Sequence, residues 1–372
     1  MKNRLLVDAI PLLSSLTGIG RYTYEIAKRV ELFKQLECSY FYGYYSHKLI
    51  HPSSGKDIKT FKSLIAKSTI LKKIARKVLM LSSKLFAPTY DLYWQPNFIP
   101  LENIKAKKVV TSVHDFSFIL HSEHHPKERI EYFEKNFFKN IYKSHMIITG
   151  SEFSKQEILD RLDFKEDQVK VIYHGIDHEL FKVYDNPHVD FNLPKKFIFS
   201  VGSIEPRKNL LGLLKAYNQL SPKIKNEYKL VLAGFKGWEN QEIMKLIERD
   251  QEYIHYLGFI SDDELVKVYN LASLFLFPSF YEGFGLPVLE AMACGTPVVC
   301  SDSSSLPEVG RDAVTYCDPY SVKDIQDKIE LVLKDEHLQE QMITKGLGRV
   351  KGFSWEKSAK EHIRVFEEVL SS

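Results

Sequence analysis

Two short apolar runs, Leu274 to Pro278 and Pro297 to Cys300, lie eighteen residues apart with no polar residue inside either. Runs that are apolar at every position read as strands buried on both faces, and two such strands joined through a helix are parallel neighbours in an α/β sheet. The joining stretch contains Pro287, which suits a helix's first turn because its missing N–H would have had no partner there. It also contains Gly295, which suits the position just past a helix end, where φ is often positive. A helix over Pro287 to Cys294 follows. Just ahead of it, Gly283, Phe284, Gly285 and Leu286 present backbone N–H groups where the helix dipole favours an anion, and the two glycines let a ligand approach closely. Glu282 lies in the preceding loop and Glu290 in the first turn of the helix, so two carboxylates can flank one ligand. An anion site rimmed by acids suits a phosphate joined to hydroxyl-bearing sugars. The same spacing also fits two surface glutamates around an ordinary turn.

The whole stretch from Glu282 to Glu290, Glu-Gly-Phe-Gly-Leu-Pro-Val-Leu-Glu, resembles the signature of the large retaining glycosyltransferases of the family-4 type. Their signature is two glutamates separated by seven residues in a Glu-Gly-Phe-Gly-Leu-Pro-x-x-Glu context, matched here at every position. The resemblance implies the GT-B fold: two Rossmann-like parallel-sheet domains facing each other across a cleft, with a C-terminal helix crossing back to the first domain.

Length and composition agree with two cores. At 372 residues the chain exceeds the usual size of one hydrophobic core, and 44% apolar residues with 13% aromatics can fill two. A net charge of +3 excludes a nucleic-acid binder acting by bulk electrostatics. The cysteines at 38, 294, 300 and 317 form no Cys-x-x-Cys pair, which fits a reducing, cytoplasmic setting without a disulfide framework. The N-terminal apolar strand is too short for a signal peptide, and no apolar run is long enough to span a membrane.

Taken in order, strands alternate with helices. A first strand over Arg4 to Ile10 leads into Gly18-Ile19-Gly20 and a helix from about Tyr22 to Leu36. Thr23 stands where a dinucleotide fingerprint would have its third glycine. The loop therefore reads either as a tight strand-to-helix turn or, by resemblance, as a glycine loop in which Gly18 and Gly20 approach the donor phosphates or the acceptor. Strands at Ser39 to Tyr45, Asp91 to Gln95, Lys108 to Val113, His145 to Thr149 and Val169 to Tyr173 complete one parallel sheet. His114, in a His-Asp pair with Asp115, follows the carboxyl end of a strand, where open parallel sheets bind ligands. The resemblance places it beside the transferred sugar. His121, His124 and His125 lie in a polar loop rather than on one helix face, so no metal site is expected there. Ser154 and Glu157 read as a helix capping box.

Residues 1–176 form the first predicted domain, completed by the stripe of apolar residues in the 355–372 helix. Residues 177–194, rich in Asp, Asn, His and Pro, read as a linker, and 195–354 as the second domain. There the strand Phe197 to Val201 runs into Gly202 and the turn Glu205-Pro206-Arg207-Lys208, ahead of a helix around Leu210 to Leu220. Adjacent cations at a helix N-terminus are unfavourable unless an anion sits between them; by resemblance, Arg207 and Lys208 grip the donor diphosphate. Further strands are predicted at Tyr228 to Ala233, Tyr253 to Phe259 and Ala313 to Cys317. Phe259 and Ile260 stand where the resemblance places backbone contacts to the nucleotide base. Ser261 and Glu264 form a second capping box, with Asp262 and Asp263 complementing the helix dipole.

The resemblance implies transfer of a sugar from a nucleotide diphosphate to a hydroxyl of a saccharide or lipid-linked acceptor, with retention and without a cofactor. It lies nearest to bacterial mannosyl- and rhamnosyltransferases of surface polysaccharide assembly, with GDP-mannose as donor. In that picture Glu282 and His114 face the sugar, Glu290 the ribose, and Arg207 and Lys208 the leaving group. The chain holds no Asp-x-Asp motif, so metal independence is expected. A sugar-nucleotide epimerase of the same build, or a non-catalytic subunit of a glycan-assembly complex, are the alternatives. Residues 56–84 carry nine Lys or Arg against one acid, a local charge of +8, with apolar residues at helical spacing. They read as a basic amphipathic segment for an anionic membrane surface, or as the solvated face of a packed helix.

Overall fold

The computed structural model describes residues 2–13, 18–51, 88–235, 237 and 241–372. The basic segment at 56–84 lies outside them.

Among the described residues, two sheets organise the chain. The first is seven-stranded in the order β3-β2-β1-β4-β5-β6-β7, built from β1 (Asn3–Asp8), β2 (Leu36–Phe41), β3 (Tyr45–Ser46), β4 (Tyr90–Gln95), β5 (Ala106–Ser112), β6 (Met146–Thr149) and β7 (Val169–Val171). Every pairing is parallel except β2 with β3, which is antiparallel. The predicted strand over Ser39 to Tyr45 is thus two strands, because the chain turns at Gly43 and doubles back. That hairpin forms the sheet's edge. The second sheet is parallel throughout, in the order β10-β9-β8-β11-β12-β13. Its strands are β8 (Phe197–Val201), β9 (Lys229–Ala233), β10 (Ile254–Tyr256), β11 (Leu274–Phe277), β12 (Val298–Ser301) and β13 (Thr315–Cys317).

The apolar runs Leu274 to Pro278 and Pro297 to Cys300 supply β11 and most of β12. They pair in parallel with every residue buried, as continuous apolar runs require. The helix between them is Leu286–Ala293, one residue earlier than predicted, and Glu290 lies just past its first turn rather than in it.

The first helix, Gly18–Val30, starts four residues before the predicted Tyr22 and ends six before Leu36. Gly18 and Gly20 therefore lie on the helix rather than in a loop. Ser151, not Ser154, caps the helix Glu152–Arg161, its Oγ accepting from the Ser154 N–H. The cap at Ser261 is as predicted, with the Glu264 carboxylate answering the Ser261 N–H at 2.7 Å.

The last helix, Trp355–Ser371, packs on Gly18–Val30 and on β4 and β5. Trp355, Ala359, Phe366 and Val369 are buried with Leu5, Tyr22 and Trp94 in the core of the first sheet. The C-terminus therefore closes the N-terminal domain. Inside that core the Tyr22 hydroxyl joins Ser112 Oγ at 2.7 Å and His362 Nε2 at 2.6 Å.

Candidate active site

The carboxyl ends of the two sheets face each other across a cavity of about 530 Å³ lined from both sides, where open α/β sheets place ligands. From the second sheet, the turn after β8 brings Arg207 and Lys208 onto Glu282. Lys208 Nζ lies 2.6 Å from Glu282 Oε1, and Arg207 Nη1 lies 3.1 Å from Oε2. Arg207 is further bound, through Nη1 to the Tyr281 carbonyl at 2.7 Å and through Nη2 to Glu205 at 3.0 Å. Both glutamates are buried. Burial alone would raise the Glu282 pKa, but Lys208 and Arg207 outweigh it and hold it down at about 2. Glu282 is therefore a carboxylate at any physiological pH and a poor base. Arg207 is the more enclosed cation, and among the described residues its buried Nε has no partner.

The loop between Glu282 and the helix is pinned by serines that the sequence reading did not single out. Ser305 Oγ donates to the carbonyls of Glu282 and Phe284, both at 2.9 Å, and Ser151 Oγ donates to the Gly283 carbonyl at 2.9 Å. The Glu282 N–H is taken by Ser304 Oγ at 2.9 Å. Gly283, Phe284, Gly285 and Leu286 all line the cavity. The Phe284 side chain, however, is buried against Tyr173, His174 and Phe353. It packs the interdomain contact, which leaves only its backbone for a ligand.

From the first sheet, His114 follows β5 and enters the cavity. Its Nε2 lies 2.8 Å from the Pro96 carbonyl. A carbonyl only accepts, so Nε2 carries the proton and Nδ1 is left as an acceptor. Burial lowers the His114 pKa, keeping the ring neutral. Asp115 Oδ1 accepts from the N–H and the Oγ of Ser117, at 2.9 and 2.7 Å. His125 Nε2 meets the same hydroxyl at 3.0 Å. Among the described residues no group of three His, Cys, Asp or Glu is placed to hold a metal.

Glu290 is buried at the other end of the cleft. Tyr269 OH donates to its Oε2 at 3.1 Å, and Arg21, from the opposite domain, lies 3.4 Å from Oε1. Arg21 also meets Asp262 at 2.6 Å, so Asp262 serves an interdomain pair as well as its helix dipole. Arg21 stands beside Gly20 in the glycine stretch, yet nothing in the sequence places its partners. Gly18 lines the cavity, whereas Gly20 is buried and is not among the lining residues. Gly202, Phe259 and Ile260 line the same cavity, and exposed Phe259 stacks on Phe235 with ring centroids 4.5 Å apart.

Two Rossmann-like domains closing on a cleft of this kind are the fold of the GT-B glycosyltransferases. Across its full length the structure matches sucrose-phosphate synthase from Thermosynechococcus elongatus, with a TM-score of 0.74 at 19% identity and 100% of both chains covered. It also matches Anabaena HepE in complex with UDP and glucose, with a TM-score of 0.70 at 17% identity, covering 99% of this chain and 100% of that one. Residues 183–349 match the family Glycosyl transferases group 1, and residues 47–180 match Glycosyltransferase Family 4. The chain is 33% identical to O-antigen chain mannosyltransferase B of Escherichia coli, over 96% of this chain and 97% of that protein. It is also 33% identical to the serotype-specific mannosyltransferase WbdA of Escherichia coli, over 74% of this chain and 35% of that longer protein. The chain belongs to the family-4 glycosyltransferases. No helix among the described residues is long and apolar enough to cross a membrane.

Proposed function

We propose that this glycosyltransferase moves mannose from GDP-mannose to a hydroxyl of a growing bacterial surface polysaccharide, with retention at the anomeric carbon and without a metal. The observation that carries the reading is the convergence of Lys208 and Arg207 on Glu282 at the mouth of an anion-favouring helix, across the cleft from His114. When the bond from sugar to diphosphate breaks, negative charge grows on the leaving oxygen. Lys208 and the N–H groups at 283–286 then stabilise the transition state more than the ground state. This supplies the neutralisation that a metal ion provides elsewhere.

Glu282 aligns Lys208 and, through the acceptor positions left on each oxygen, holds sugar hydroxyls. With a pKa near 2 it does not act as a proton acceptor. His114 offers Nδ1 to a hydroxyl of the sugar or acceptor, and Glu290 takes the ribose diol. Retention rests on the resemblance of the Glu282 to Glu290 stretch. Mannose and surface polysaccharide rest on the names of the two Escherichia coli relatives. A lipid-linked acceptor would bring the enzyme to the inner face of the cytoplasmic membrane, with 56–84 as the contact.

The donor is tested by a thermal-shift and hydrolysis panel of GDP-, UDP- and dTDP-sugars. GDP-mannose is expected to give the largest shift and the fastest turnover; preference for a uridine or thymidine donor would overturn that assignment.

A further inference from the structure

Glu290 and Arg21 belong to different domains, and their contact crosses the cleft. The guanidinium is held on three sides: Nη2 on Asp262 at 2.6 Å and Nη1 on Glu290 at 3.4 Å, both of the second domain, and its face over the ring of linker residue Phe181, which is buried with the second sheet's core, at 5.5 Å. The Arg21 side chain is 17% exposed, and it lines the cavity with Gly18, Asp262 and Glu290. Glu290 needs such a partner. The titratable or charged groups facing its carboxylate are Arg21 from Gly18–Val30, Tyr269 and Asp262 from Asp262–Leu271, and Cys294 at the end of its own helix. Among these, Arg21 is the cation. Burial already raises the Glu290 pKa, with Arg21 and the Tyr269 hydrogen bond opposing the rise and Asp262 adding to it.

The geometry points to Arg21 as a positioning residue that keeps the Glu290 carboxylate ionised and aimed, so that the donor's ribose site is complete only when the two domains close. The inference rests on the assignment of Glu290 to the ribose diol. A diol donates two hydrogen bonds, and a carboxylate accepts both only while ionised. In the closed cleft Arg21 supplies the charge that holds it so. In the open cleft Glu290 loses the contact that aims it and its affinity for the diol falls, which couples donor binding to domain closure. Arg21 touches no reacting atom in this scheme.

The test is the affinity of the full chain for GDP and, in parallel, UDP, by titration calorimetry between pH 6 and 8.5. Wild type is compared with Arg21→Gln, Arg21→Lys and Glu290→Gln. Losing a charge-assisted partner corresponds to about tenfold or more in Kd, so Arg21→Gln is expected to bind the preferred nucleotide about tenfold more weakly at pH 7. Its deficit should grow as pH falls, because the Glu290 pKa rises further and the acceptor is lost to protonation. Arg21→Lys retains the charge and should keep the wild-type pH dependence even if its affinity is lower. A packing role would not separate Gln from Lys by pH. An Arg21→Gln deficit constant with pH, or none, while Glu290→Gln binds weakly, overturns the inference and leaves the ribose assignment standing. Unchanged binding in Glu290→Gln overturns the ribose assignment and the inference with it.

Discussion

A Cβ placed on Gly283 would stand 2.1 Å from the carbonyl oxygen of His114. These two residues come from different sheets, and their backbones touch at the floor of the cleft, between the Glu282 centre and the His114 ring. The contact is braced by Ser154 Oγ, which lies 3.2 Å from the His114 carbonyl and 3.3 Å from that of Gly283. Beside it, Tyr281 OH accepts from the Phe116 N–H at 2.9 Å and donates to Glu157.

Gly283→Ala should therefore act on domain closure rather than on chemistry alone. The overlap is with backbone, which cannot rotate away, so the domains must part by more than an ångström. Transfer is expected to fall at least a hundredfold, since small misplacements of a reacting geometry cost about that much. Each domain keeps its core and the protein stays folded. Small-angle scattering would show a more open particle; wild-type transfer by this variant would contradict the contact.

Lys208→Ala and Arg207→Ala should separate. Both are expected to lower turnover by about a hundredfold or more by removing charge near the leaving group. Arg207 also compensates buried Glu205 and Glu282, and breaking a buried pair typically costs about 3–5 kcal/mol. Arg207→Ala should thus lower the melting temperature clearly and Lys208→Ala less so. Turnover within twofold of wild type in both variants would remove the cations from the reaction.

The double-glutamate stretch, the basic turn and His114 could be placed at strand ends because each follows an apolar strand; their assignment to a sugar-nucleotide site came from the resemblance and not from local pattern. The partners were not legible in the sequence. Arg21 meets Asp262 and Glu290 from more than two hundred positions away, and Glu157 looked like half of a helix cap until Tyr281 reached it from the other domain. Ser304 and Ser305 pin the loop between Glu282 and the helix through its backbone, and nothing in their local sequence points to that loop. Local pattern reveals elements and their ends; it does not reveal which ends meet when two domains close. The extent of the first helix was misjudged for a related reason. Glycine lowers helix propensity, so Gly18 and Gly20 read as loop, although both lie in the helix Gly18–Val30, Gly18 exposed and Gly20 buried.

The Glu282 pKa, held near 2 against an ordinary 4.5, carries a signed consequence for stability. A depressed carboxylate contributes stability that is present above the unfolded pKa and is lost as pH falls through the folded one. The window is pH 4.5 to 2, and the full contribution is on the order of 3 kcal/mol. Glu282→Gln should be clearly less stable than wild type at pH 7. The gap should narrow by about 1 kcal/mol at pH 4, as followed by urea unfolding at both values. A gap that widens on acidification would mean that Glu282 is not held ionised by its cations.

The most direct test of the reaction itself is the anomeric configuration of the product formed from ¹³C1-labelled GDP-α-mannose in the presence of EDTA. The one-bond C1–H1 coupling in its NMR spectrum distinguishes the two anomers. An α-mannoside formed at an undiminished rate is expected. A β-mannoside, or transfer that stops in EDTA and resumes with Mn²⁺, would contradict a retaining, metal-independent centre built on Lys208, Arg207 and Glu282.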